Sequence, residues 1–218
     1  MNTLNIPSNE DIEATLKEFQ SVLGQAVSAW ALIEMYLCQH FQTITQVHPD
    51  MSRRIFYSAT SFQGRSAMID ACLKGNHISP AYTSFMVAAV KVARDYSRFR
   101  NSFIHAEIAG VWVPSSKHFG SFILRQGKSE EFEDKDTTIT SQHLITATSN
   151  FGRLSTYLLY TLHALSAHDR APLPKCQKLV EELPRPPHLS IGAEIDPEFR
   201  RLPLPRWDNP NAAERFRP

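Results

Sequence analysis

Cysteine is scarce in this chain, and the three present are badly spaced for structural use. Cys38, Cys72 and Cys176 are an odd set with no C-x-x-C pair. That argues against a disulfide framework and a zinc knuckle, and it suits a reducing compartment, by default the cytoplasm. An excess of charge of one sign is also missing. The 23 Lys+Arg and 22 Asp+Glu leave a net charge of +1, so no global field draws in a polyanion, and a nucleic acid would have to be held by a local cluster of cations. There is no run of about 18 apolar residues, and the start MNTLNIPSNEDIEATLKEF lacks a basic stretch followed by an apolar one. Neither secretion nor a membrane is expected.

Several catalytic signatures are absent too. No HExxH occurs, and His163 and His168 are five apart, a spacing that does not place two imidazoles on one helix face for zinc. Gly127-Lys128-Ser129 ends like a phosphate-binding loop, but the position five before Gly127 is Phe122 and an acidic run follows. There is no GxSxG elbow. No metal and no cofactor are expected.

What is present is ordinary globular composition, with 42% hydrophobic and 21% charged residues over 218 positions. At roughly 150 residues per domain this suits one domain with a tail. Ile12, Leu16, Phe19, Leu23, Ala26, Trp30, Ile33, Leu37 and Phe41 recur at spacings of four and three, predicting one amphipathic helix over 9–46. Ser8, with Asp11 three residues on, supplies its start. A weaker helical stretch over 51–73 breaks near SATS and stops at Lys74-Gly75-Asn76, where glycine can turn left-handed. Ser79-Pro80 marks the next start, followed by the stripe Phe85, Ala89, Val92, Tyr96, Phe99 and Phe103.

The runs AEIAGVWV and FGSFILR predict a β-hairpin at about 106–126, and the acidic EEFEDKD after them reads as either a third strand or a solvated loop. A last helix runs from Thr140-Ser141 to about 167. Ten of the 14 prolines then fall in 172–218, predicting an extended, poorly packed tail. The expected architecture is therefore a mainly α helical bundle over 1–168, with a hairpin inserted before the last helix, and a Pro-rich tail over 169–218.

The stretch RFRNSFIHAEI, residues 98–108, carries the chemistry. On a helix Asn101 and His105 lie four apart on one face, and Arg100 is long enough to reach them. None of the three belongs to the apolar stripe. An imidazole that takes and returns a proton, beside a guanidinium that grips phosphate oxygens, suits attack on a phosphodiester without metal. A plainer reading stays open: Arg94, Arg98 and Arg100 form a solvated face paired with Asp95 and Glu107, and His105 caps the helix end.

Arg100-Asn101-Ser102-Phe103-Ile104-His105 has the R-x4-H form with a polar residue after arginine, and so resembles the signature of HEPN-domain ribonucleases. WALIEMYL in the first helix, the S-P start of the motif helix and ITSQHLITATSNFGRLSTYLLYTL in the last resemble that architecture across residues 8–168. The resemblance implies an α-helical bundle that dimerises, joining two motifs into one site that cuts RNA without metal. Arg100 would stabilise the phosphate, His105 would act as acid or base, and Asn101 would orient them. Arg94 and Arg98 would dock the RNA backbone, and the RNA 2′-hydroxyl would be the nucleophile. Glu34 resembles an acid of the family's first helix, with a salt bridge as its other reading.

A defence or toxin role with an antitoxin or regulatory partner follows only by analogy. The alternatives are a non-catalytic HEPN-like module that binds a nucleotide or protein, and a purely structural interaction protein. Trp30, Tyr36, Tyr157 and Tyr160 read first as core or dimer-interface residues. Trp112 is a candidate contact residue, and RRLPLPRW a segment that is either disordered or docks a partner in extended form.

Overall fold

The structure, a computed structural model, describes residues 8–75, 78–113, 118–126, 137–168, 171–186 and 190–191, with backbone alone at 111–113, 118–121, 137 and 190–191. The Gly127-Lys128-Ser129 and RRLPLPRW segments, and the side chain of Trp112, lie outside what is described. The described chain is mainly helical, with a small antiparallel sheet before the last helices. It divides into two compact units, one of residues 1–21, 102–141 and 188–218 and the other of residues 22–101 and 142–187.

Helix α1, Asn9–Thr45, begins as its sequence dictates. The Ser8 hydroxyl accepts from the Asp11 amide at 3.2 Å, and the Asp11 carboxylate accepts from the Ser8 amide at 3.2 Å and hydroxyl at 2.7 Å. This reciprocal box satisfies donors that a helix start leaves open. At the other end Gln46 takes φ 55° and its amide donates to Gln42 O at 2.8 Å, closing the helix. By length and composition α1 is long enough and apolar enough to cross a membrane, a property that the core helix of a soluble protein can share.

In the larger unit α1 is joined by α2 (Pro49–Ser58), α3 (Phe62–Cys72), α4 (Pro80–Ile104), α5 (Ser141–Ser166) and α6 (Leu173–Glu181). The break between α2 and α3 falls at SATS. Ser61 caps α3 by accepting from the Gly64 amide at 3.1 Å. The left-handed glycine expected after α3 is not there, since no described glycine has positive φ. The helix instead closes through tight turns, Lys74 N to Ala71 O and Gly75 N to Cys72 O. The Ser79 hydroxyl accepts from the Tyr82 amide at 3.4 Å at the start of α4. The tail contributes α6, which the proline count hid. Pro172 and Pro174 sit at its N-terminus, where a missing amide costs nothing, and Leu173, Cys176 and Val180 are buried.

The core of this unit is aromatic. Trp30 packs edge-on to Phe62 at 5.0 Å and to Phe151 at 5.4 Å, and Tyr96 meets Phe151 at 5.4 Å. The Tyr96 hydroxyl donates to Pro184 O at 2.7 Å, pinning the chain beyond α6. His40 is fully buried. Its Nε2–H donates to Leu158 O at 3.0 Å, its Nδ1 accepts from the Tyr82 hydroxyl at 2.7 Å, and Thr161 Oγ1 lies 3.3 Å from Nε2. Both ring nitrogens are thus used by the neutral tautomer. The three cysteines are free, and burial pushes each thiol up.

In the smaller unit a sheet of order β1-β2-β3-β4 is antiparallel throughout. Strands β1 (Glu107–Val113) and β2 (His118–Gln126) form the expected hairpin, with a register shift between Val111 and Trp112. Strand β3 is Thr137–Thr140, just after the acidic run, and the two-residue β4 (Ser190–Ile191) pairs with it. Phe122, Ile123, Leu124 and Arg125 are successive and all buried, so β2 is covered on both faces. Phe122 meets Phe19 of α1 at 6.4 Å.

The neutral His40 carries a pH dependence. Burial lowers its pKa from 6.5 to about 4, against the opposing Leu158 carbonyl bond. The unfolded chain therefore binds a proton that the folded chain refuses, and stability is fully present above the unfolded value. It falls as pH drops from about 6.5 through about 4, by on the order of 3 kcal/mol. Urea unfolding at stepped pH should show this slope in the parent and a flatter one in His40→Gln.

Candidate functional site

The motif stands where a helix ends. Helix α4 buries Phe85, Ala89, Tyr96, Phe99 and Phe103, the predicted stripe apart from the half-buried Val92. Packing of that stripe fixes the rotation of the helix, so Arg98, Asn101 and Ile104 are exposed and Arg100 is half-buried. Arg100 and Asn101 belong to the larger unit and His105 to the smaller. The helix stops at Ile104, and His105 occupies the turn between α4 and β1. It is exposed, and among the described residues its side chain has no hydrogen bond or ion pair.

The guanidinium of Arg100 is held by its neighbour, Nη1 donating to Asn101 Oδ1 at 3.0 Å. Its Nε–H is buried and has no acceptor among the described residues. A buried donor left unpaired costs about 1–3 kcal/mol, a state that Arg100 shares with Trp30 Nε1 and Asn150 Nδ2. Chemically, Asn101 fixes the plane of a group that can present two parallel N–H bonds to phosphate, and His105 offers two open ring nitrogens for proton transfer.

The two flanking arginines differ from each other. Arg94 is built into the fold, with Nε donating to Ser66 Oγ at 2.9 Å and Nη2 paired with Asp70, one turn further along α3. Its charge is met from within. Arg98 has a side chain 82% exposed and reaches only Asp95 at 3.3 Å. Glu34 is bound to Arg65 at 2.9 Å, with both side chains mostly buried, so the salt bridge is what the structure gives it. Arg65 also donates from Nε to Ala59 O at 3.1 Å and lies over the Tyr57 ring at 5.0 Å.

Spacing along the chain did not signal that cluster, because Glu34 and Arg65 are far apart in sequence. Among the described residues no group of three or more His, Cys, Asp or Glu could hold a metal ion. Of the aromatic candidates, Trp30 is core, Tyr36 and Tyr157 are half-buried and Tyr160 is exposed.

No family model, curated protein or solved structure matches this chain.

The unequal settings of the two arginines make a direct test. Arg94→Ala should cost about 1–2 kcal/mol, because it strands Asp70 and Ser66. Arg98→Ala, with its exposed pair, should stay within about 0.5 kcal/mol. Equal losses in urea unfolding would show that the Arg94 pairing contributes nothing particular to the fold.

Proposed function

We propose that this chain is a metal-independent endoribonuclease whose essential pair is Arg100 and His105. The observation that carries the reading is the state of Arg100: a guanidinium clamped by Asn101, with a buried N–H unpaired, five residues before an exposed histidine at a helix end. The resemblance of Arg100–His105 to the R-x4-H signature of HEPN-domain ribonucleases supports the same reading.

In this mechanism the 2′-hydroxyl of RNA attacks the adjacent phosphorus. The new O2′–P bond forms as the P–O5′ bond breaks, leaving a 2′,3′-cyclic phosphate and a free 5′-hydroxyl. His105 takes the 2′ proton, and Arg100 offsets the charge that builds on the non-bridging oxygens. The leaving 5′ oxygen needs a proton from a second acid, which His105 of another copy supplies in a homodimer. Val27, Leu32 and Met35 are exposed apolar residues of α1 that support association. Backbone docking falls mainly to Arg98, since Arg94 is already neutralised by Asp70.

The same exposed α1 residues favour the second reading, a module that binds a protein or nucleotide without catalysis. A cytoplasmic setting accords with the three free thiols. A toxin or defence role under an antitoxin or regulatory partner belongs to this proposal by fold analogy alone.

Cleavage of a mixed RNA pool in chelator tests the pair. The parent should cut and leave cyclic phosphate ends, while Arg100→Ala and His105→Ala, shown to be folded, should each lose at least about 100-fold in rate. Asn101→Ala should fall between them and the parent. Undiminished cutting by either essential variant, or no cutting by the parent, removes the nuclease and leaves the binding module.

A further inference from the structure

Helix α2 carries a surface that none of this chemistry uses. Only Ser52 and Phe56 of its ten residues are buried. Arg53, Arg54 and Tyr57 are exposed, Tyr57 by 40%, together with Met51 and Ile55.

The charges around it do not cancel. Arg65 is neutralised by Glu34 and Asp70 by Arg94, while the exposed Asp50 of the first turn of α2 lies 3.9 Å from His48, a contact that is an ion pair only when the imidazole is protonated. Arg53 and Arg54 have no carboxylate within ion-pair distance among the described residues. Against the single carboxylate of Asp50, α2 therefore carries two guanidiniums that make no ion pair among the described residues, a local excess of one positive charge.

The Tyr57 ring beside them is held from two sides. The Arg65 guanidinium carbon lies 5.0 Å from its centroid, and the Phe56 ring meets it edge-on at 5.3 Å and 89°. Arg65 is in turn fixed by Glu34 at 2.9 Å and Ala59 O at 3.1 Å. These contacts restrict the ring, which lowers the conformational entropy a ligand would have to remove. Arg53 lies one helical turn before Tyr57 and so on the same side of α2.

A restrained, partly exposed aromatic ring beside guanidiniums that make no ion pair matches the chemistry of a single nucleic-acid strand, in which bases alternate with phosphates. From this placement we propose that α2 is a docking surface for single-stranded RNA, one base stacking on Tyr57 while Arg53 and Arg54 hold phosphates. The ligand class rests on the ribonuclease reading, but the binding does not depend on cleavage. Met51 and Ile55 beside the arginines would equally suit an anionic membrane; the held ring favours a base.

The test uses the full chain carrying His105→Ala, so that RNA survives, and a fluorescently labelled single-stranded RNA of mixed sequence in chelator, with anisotropy read across a salt series. Tyr57→Ala should weaken binding about tenfold, while Tyr57→Phe, which keeps the ring, should bind as the parent does. Arg53→Ala with Arg54→Ala should weaken binding and reduce the slope of log affinity against log salt by about 1.4, at 0.7 per lost phosphate contact. These last positions are exposed, so the proposal stays testable even if Tyr57→Ala misfolds.

Binding unaffected by the Tyr57 or arginine variants overturns the proposal. So does absence of RNA binding, or binding to phosphatidylserine vesicles that these variants abolish. The two readings separate cleanly: α2-dependent RNA binding by a chain that never cuts leaves this surface and removes the nuclease. Cutting by Arg100 and His105 with normal binding in the α2 variants does the reverse.

Discussion

A buried, uncharged imidazole fixes how three helices of the larger unit meet. His40 of α1 accepts from Tyr82 of α4 and donates to Leu158 of α5, so a single ring aligns three long elements through two directional bonds. Apolar packing alone tolerates sliding by small steps, because any well-filled arrangement satisfies it. A buried polar network does not, since each unmade bond strands a desolvated group. The register of α4 against α1 and α5 is therefore specified, while the buried stripe sets the rotation that exposes Arg98 and Asn101 and half-buries Arg100.

The same unit shows how charges are shared between architecture and function. Arg65 and Arg94 are tied to carboxylates from other helices and make α3 part of the bundle. Arg53, Arg54 and Arg98 are left on the outside with little or nothing from within to answer them. A near-zero net charge does not register this division, which is one of placement rather than of count.

Much of the helical frame was legible in the sequence because burial repeats with the helix. The stripe from Phe85 to Phe103, the Ser8–Asp11 box and the Ser79-Pro80 start are local signals, and each appears where its spacing places it. What escaped was non-local or masked. His40 looks like any lone histidine until Tyr82 and Leu158 arrive from 42 and 118 residues away. Helix α6 was hidden by the prolines that begin it, and β3 by threonines that also suit the start of α5. The site was legible as a set of residue types, but not in its geometry. Spacing found Arg100, Asn101 and His105, yet it could not foresee that α4 would end at Ile104 or that Arg94 would be consumed by Asp70.

The three free thiols have a use of their own. Cys38 in α1 and Cys176 in α6 are buried, Cys72 in α3 is partly covered, and burial disfavours the reactive thiolate in each. A thiol reagent should therefore meet Cys38 and Cys176 chiefly when their helices open, at rates set by those openings. One natural chain thus carries two clocks, in α1 and α6, beside the more accessible Cys72. Mass spectrometry of alkylated peptides would order the local openings of α1 and α6 without a single engineered probe.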